Sequence, residues 1–211
     1  MGDPKAPLFL MRHGETVFNA EGRYQGGSDS RLTEAGRGHA RVVGEMLAEV
    51  LGDAPVRLVV SPQGRAMETA EIAQSVLPTC VGLEVDARFR EVSMGAWDGH
   101  TRAEIAARWP DARAGRPGRT WIFHGPGGES LDDMVARLDP ALQDVAARAD
   151  CAHVLISHGL AGRILRALHA EMPLEVMLEE DAPQDAAYAL EPGGSVRLME
   201  TAAYRVRMRG I

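Results

Sequence analysis

The sequence predicts an α/β fold: a three-layer α/β/α sandwich with a mostly parallel central sheet. Three observations point there. Short apolar runs alternate with longer stretches of helical period, the pattern of strands linked by crossover helices. The first run, Leu8 to Met11, is apolar throughout and reads as a buried strand entering a loop. Three of the runs end abruptly in Arg, His, Ser and Gly, the residues expected where strands deliver side chains to a rim.

The elements follow in order. Leu8-Phe9-Leu10-Met11 is a first strand, running into Arg12-His13-Gly14-Glu15. Thr33 is placed to cap a helix whose apolar face is Val43, Met46, Leu47, Val50 and Leu51, with Gly52 just past its end. Val56 to Val60 forms a second strand. Ser61-Pro62 then reads as an N-cap and first helical residue, opening a helix through Ala66, Ala70, Ala73 and Leu77. Leu83 to Asp86 is a short third strand. Ser130 and Asp133 resemble a capping pair before a helical face of Leu131, Val135, Leu138, Leu142 and Val145. Pro140 inside that face predicts a kink or break, because proline lacks the amide that the helix needs. His153 to Ser157 is a fourth strand, and Gly159 opens a helix through Ile164, Leu165 and Leu168 that stops near Pro173. Ala187 to Leu190 and Ser195 to Met199, separated by Glu-Pro-Gly-Gly, predict a hairpin. Arg205, Arg207 and Arg209 alternate as in a solvated strand or tail.

Residues 1–211 are expected to form one domain, since no repeat, low-complexity tract or linker interrupts them. The irregular stretch is 100–128, holding Trp109, Trp121, Phe123, Arg113, Arg116 and Arg119 among Gly and Pro. Long irregular segments in compact domains tend to be functional, so it is expected to form a cap over a site. Its aromatics would be free to stack a ring, and its arginines to accept a second anionic group.

Composition sets limits. The chain carries 23 Lys+Arg against 30 Asp+Glu, a formal charge of −7. That balance disfavours nucleic acid, whose phosphates are bound mainly by surplus Lys and Arg. Cys80 and Cys151 lack a CxxC partner and imply reduced thiols. The N-terminal apolar run is too short for a signal peptide, and none is long enough for a membrane span. A cytoplasmic location without membrane contact is therefore expected. A homodimer is expected only because two-fold dimers are common.

In a parallel sheet, the residues just after the strands meet at one rim. Arg12 and His13, Ser61 and Arg65, and Ser157, His158 and Gly159 are therefore expected together. Arginine matches phosphate oxygens with its planar fork. A neutral imidazole is a competent nucleophile toward phosphorus, and neighbouring arginine charge keeps it neutral. The helix after Gly159 could aim free amides at an anion. An acid is still needed for the leaving oxygen, and pattern alone does not single it out among 30 carboxylates.

Several ordered motifs now carry a resemblance. Leu10-Met11-Arg12-His13-Gly14-Glu15-Thr16 resembles the signature of the histidine phosphatase (phosphoglycerate mutase-like) superfamily. Asn19 with Glu21 to Gly26, Leu32 to Gly36, Ser61-Pro62 with Arg65 and Glu68 to Ala70, Phe89-Arg90-Glu91 with Gly95 to Gly99, Gly127 to Ser130, and Ser157-His158-Gly159 follow in the family's order. Phe18 stands where many members carry Trp. The resemblance implies His13 as a nucleophile forming phosphohistidine, and Arg12, Arg65 and His158 as holders of the phosphoryl group. It implies Glu91 as general acid/base; the alternatives for the acid are Glu84, Asp86 and Asp98, close to it in sequence, and Glu15. Asn19 and Gln25 would be further phosphate contacts, and Glu15 a support for the loop. It implies neither metal nor cofactor. The expected substrate is a small phosphate monoester, hydrolysed by a phosphatase. Glu91 and His158 lie 158 − 91 = 67 positions apart, without the basic insertion of the glycolytic mutases. A mutase, or a phosphate-binding member with little turnover, is the alternative.

Overall fold

The computed structural model describes residues 6–208. Six strands form one sheet: β1 (Leu8–Arg12), β2 (Val56–Val60), β3 (Cys80–Val85), β4 (Ala152–Ser157), β5 (Ala186–Glu191) and β6 (Ser195–Glu200). Their order is β3-β2-β4-β1-β5-β6. The first four are parallel, while β5 and β6 are the expected hairpin, antiparallel to β1 and to each other. The sheet is thus mostly parallel and flanked by helices, as the apolar runs predict.

Alternation along each strand builds two cores. Leu8, Leu10, Val59 and Leu155 face one side, packing with Met134, Leu138, Leu142, Leu160 and Ile164. Phe9, Met11, Leu58, Val60, Val154 and Ile156 face the other, against Val43, Leu47, Ala66, Ala70 and Ala73. Eight helices, α1 (Val17–Ala20), α2 (Glu34–Leu51), α3 (Gly64–Ser75), α4 (Arg102–Arg108), α5 (Leu131–Ala146), α6 (Gly159–Ala170), α7 (Leu174–Glu179) and α8 (Ala202–Met208), complete the described chain.

The structure corrects four expectations. Ser61-Pro62 does not cap α3: the helix starts at Gly64 with Gln63 as its N-cap, without a side-chain bond, and the Ser61 hydroxyl meets Gln63 N–H at 3.4 Å and His158 Nε2 at 2.7 Å. Pro140 does not break α5, which runs unbroken through it. The missing amide bond is outweighed by the burial of Leu138, Ala141, Leu142 and Val145 around it. The segment 100–128 is not irregular throughout, since Thr101 and Glu104 form a capping box that starts α4. Its aromatics are not free to stack a ligand: Trp121 and Phe123 are buried in the core, with Trp109 packed beside them, and His124 is exposed. Finally, Arg205 lies in a helix rather than a strand or tail, and Arg209 lies outside the described residues.

Candidate active site

Register brings the strand ends together. Arg12 pairs with Ser157 and Val60 with Ile156. The ladder then extends one residue, as His13 N–H donates to Ser157 O (3.0 Å) and Ser61 N–H to Ile156 O (3.1 Å). His13, Ser61 and His158 therefore leave the sheet side by side, and the His13 and His158 rings lie 5.2 Å apart.

The protonation of His13 follows from its contacts. Its Nδ1 lies 2.8 Å from Gly14 O. A carbonyl only accepts, so Nδ1 carries the hydrogen and Nε2 keeps its lone pair. Burial, then the charges of Arg12 and Arg65, push the His13 pKa well below its ordinary value. His158 is held neutral in the same way, by burial first and Arg65 next. Its Nε2 lies 2.7 Å from Ser61 Oγ.

Arg65 is fully enclosed. Its Nη1 donates to Ser28 O at 2.9 Å and to Asp29 Oδ1 at 3.0 Å, and its Nη2 to Gly26 O at 3.1 Å. Arg12 Nη1 donates to Ala182 O at 2.9 Å. Three buried atoms here have no hydrogen-bond partner: Arg12 Nε, Arg65 Nε and His158 Nδ1. Buried polar atoms are rarely left unpaired. Unpaired nitrogens on three of the residues grouped around one imidazole describe a place built for an anion.

Glu91 is the carboxylate that adjoins both arginines: burial lowers the pKa of each, and the charge of Glu91 offsets part of that shift. Its Oε1 accepts from Val92 N–H at 3.1 Å and Ala161 N–H at 3.0 Å. Its Oε2 accepts from Leu160 N–H at 3.0 Å. The start of α6 is thus capped by a resident carboxylate, which corrects the expectation that its amides lie open to a ligand. The helix dipole and these amides favour such a charge. At Gly159, an added Cβ would meet Arg12 Cζ at 3.4 Å and Arg163 Nη1 at 3.5 Å, so glycine lets two guanidinium groups approach.

The other acids are committed elsewhere. Glu84 pairs with Arg148 at 2.8 Å, and Asp86 pairs with Arg88 at 2.7 Å. Asp98 accepts from the amides of Gly26 and Gly27. Glu15 accepts from the Thr33 hydroxyl at 2.8 Å, bracing the loop after β1.

Asn19 Oδ1 accepts from Thr16 N–H at 3.2 Å and from Gln184 Nε2 at 2.9 Å. With both lone pairs engaged, its amide donors point away from these partners. Gln25 uses Oε1 to accept from the Thr16 hydroxyl at 2.7 Å.

Several residues support the site, of which only Thr69 lies within a motif read from the sequence. Gln184 donates to His13 O at 3.2 Å as well as to Asn19, from a loop 171 positions away. Thr69 accepts from Gly14 N–H at 3.0 Å and donates to Arg65 O at 2.7 Å. Gln63 accepts from Glu91 N–H at 2.8 Å. Arg163 has its pKa lowered to about 10 by burial and by the charges of Arg119, Arg12 and Arg166. Arg119, in the segment 100–128, lies within electrostatic range of Arg12 and Arg163.

The family model for the histidine phosphatase superfamily (branch 1) matches residues 8–200. A glucosyl-3-phosphoglycerate phosphatase of Mycobacterium tuberculosis is 36% identical over 179 residues, covering 79% of this chain and 76% of its own. An acid phosphatase of the same organism is 31% identical over 175 residues, covering 82% and 80%. A probable phosphoglycerate mutase of Erwinia tasmaniensis is 34% identical over 159 residues, covering 75% and 72%. Among solved structures, a mycobacterial glucosyl-3-phosphoglycerate phosphatase complexed with VO3 superposes with a TM-score of 0.75 at 33% identity, covering 93% of this chain and 99% of that one.

Proposed function

Because the chain belongs to the histidine phosphatase superfamily, we propose that it is a metal-independent phosphomonoesterase acting on a small phosphorylated metabolite through a phosphohistidine on His13. The observation that carries this is the set of unpaired buried nitrogens on Arg12, Arg65 and His158, placed around an imidazole whose Nε2 keeps its lone pair.

The phosphoryl group sits among those nitrogens, with Asn19, Gln25 and Gly159 at its edge. His13 Nε2 attacks phosphorus while the ester P–O bond breaks. Arg12 and Arg65 balance the charge on the equatorial oxygens, and His158 hydrogen-bonds one of them. Glu91 gives the departing oxygen its proton. Its Oε1 already accepts two amides, whereas Oε2 accepts one, so Oε2 is the oxygen with room for that proton. Water then attacks the phosphohistidine and gives a proton back to Glu91, the P–N bond breaks, and inorganic phosphate leaves.

The test is hydrolysis of a chromogenic phosphate ester without added metal, with inhibition by vanadate, a mimic of five-coordinate phosphorus. His13→Ala must lose the acid-labile phosphoenzyme. The mutase reading is favoured by the phosphoglycerate mutase among the relatives. It is tested with 3-phosphoglycerate, with and without bisphosphate primer: fast primer-dependent isomerisation would replace the phosphatase reading.

A further inference from the structure

At the opposite end of β4 from His158, three different ligand types converge. Asp150, Cys151 and His153 each place one donor atom within 4.8 Å of the others. Asp150 Oδ1 lies 3.8 Å from His153 Nε2, and Asp150 Oδ2 lies 3.7 Å from Cys151 Sγ. Cys151 Sγ lies 4.0 Å from His153 Nε2. The catalytic proposal above uses none of these groups.

The Asp150–His153 distance is beyond the range of an N–H···O hydrogen bond, about 3.2 Å, while the Cys151 sulfur lies in hydrogen-bond contact with both neighbours. The three distances are close to what a shared metal requires. Tetrahedral ligands at about 2.0 Å for N and O and about 2.3 Å for S stand roughly 3.3–3.6 Å apart. With a single Asp150 oxygen as ligand, the three donor atoms lie within 4.8 Å of one another, and a turn of the exposed Asp150 side chain closes the triangle toward that size. His153 is 1% exposed and Cys151 is 8% exposed, while Asp150 is open to solvent. Two ligands are therefore held by the strand start and the third lies on the entry side. Arg57 Nη2 stands 3.8 Å from Asp150 Oδ2, and its charge acts on the Cys151 thiol as well.

We propose that Asp150, Cys151 and His153 form a binding site for a thiophilic divalent metal of the zinc class, with water as fourth ligand. Thiolate with imidazole selects such ions over magnesium or calcium. On binding, the Cys151 S–H bond breaks, its proton passes to solvent, and a metal–sulfur bond forms. One thiolate and one carboxylate then match the two positive charges of the ion. The site is structural. His153 and His158 are five residues apart on a strand, roughly 17 Å, so the metal ties the turn before β4 to the strand without touching the phosphate.

The test uses tag-free, reduced protein titrated with Co2+. The expected result is one equivalent bound, with visible d–d bands of tetrahedral intensity and a near-ultraviolet thiolate-to-cobalt band, both lost on adding Zn2+. Cys151→Ser loses the near-ultraviolet band and Cys80→Ser keeps it. Asp150→Asn, at an exposed position, weakens Co2+ binding by at least roughly tenfold, no less than the loss of an outer partner does. Zn2+ raises the Tm of the wild type and leaves ester hydrolysis unchanged. A wild type without the thiolate band, or a Cys151→Ser or Asp150→Asn variant that binds as the wild type does, overturns the proposal.

Discussion

Glu91→Gln separates proton donation from mere shape. The side chain keeps its length, but only one of its two head atoms can accept. The remaining oxygen goes where two amides, Val92 and Ala161, already point. The new NH2 group then faces Leu160 N–H, which donated to Oε2 at 3.0 Å. A buried donor left facing a donor costs about 1–3 kcal/mol, so the variant should unfold in urea with a stability loss of that size. Loss of a general acid costs about 10²–10⁴ in rate, or roughly 3–5 kcal/mol of barrier at 1.36 kcal/mol per tenfold. The two effects are read independently. Stability comes from urea midpoints at matched slope. The catalytic effect comes from kcat/KM on two esters, p-nitrophenyl phosphate and a simple alkyl phosphate. An alkoxide needs its proton more than a nitrophenolate does, so the alkyl ester should suffer at least about tenfold more. Equal losses on both esters would refute Glu91 as the proton donor, and an unchanged urea midpoint would refute the three-amide cradle.

Other predictions concern different parts of the molecule. His13 and His158 exclude protons that the unfolded chain takes up below its ordinary value of 6.5. Stability should therefore be level above that pH and fall as pH drops from it toward the lowered native values. Urea midpoints at about pH 7.5 and about pH 5.5 check this, and His13→Asn should show a smaller fall than the wild type. Gln184→Ala removes the tie between His13 O and Asn19, so KM should rise and phosphoenzyme formation should slow by about tenfold, one hydrogen bond's worth; rapid-quench kinetics would detect it. In Gly36→Ala the new Cβ would stand 2.0 Å from Glu15 O, pushing the loop after β1 outward. Activity should drop more than stability, and a variant with wild-type kcat would contradict this. Pro140→Ala restores a donor to the Ala136 carbonyl and should stabilise by up to about 3 kcal/mol in urea, without altering hydrolysis.

Legibility in the sequence followed the range of each interaction. Strands, helices and the rim of Arg12, His13, Arg65 and His158 were readable because apolar period and strand-end polarity are local signals. The contacts that hold the rim were not, because they span distant segments. Gln184 meets His13 across 171 positions, and Thr69 meets Gly14 across 55. Ser61 misled because a serine before proline is a good local cap, yet its hydroxyl lies against His158 97 positions away. Pro140 misled because its local penalty is visible and the burial that outweighs it is not. The aromatics of 100–128 looked available for a ligand because nothing in their spacing reveals the core cluster that Trp97, Trp109 and Trp121 build with one another.

Three guanidinium groups grip three consecutive carbonyls of the loop before β5. Arg163 holds Glu180 O, Arg166 holds Asp181 O, and Arg12 holds Ala182 O. A carbonyl is a dipole and not an ion, so it fixes these side chains without discharging them. The loop thereby acts as an insulating mount. It spends hydrogen bonds to keep cations close together that would otherwise drift apart, while their field stays directed at the cleft. In a chain of net charge −7, this gathers positive charge at one mouth. Capture of substrate should then weaken with ionic strength, while the fold itself barely registers the salt.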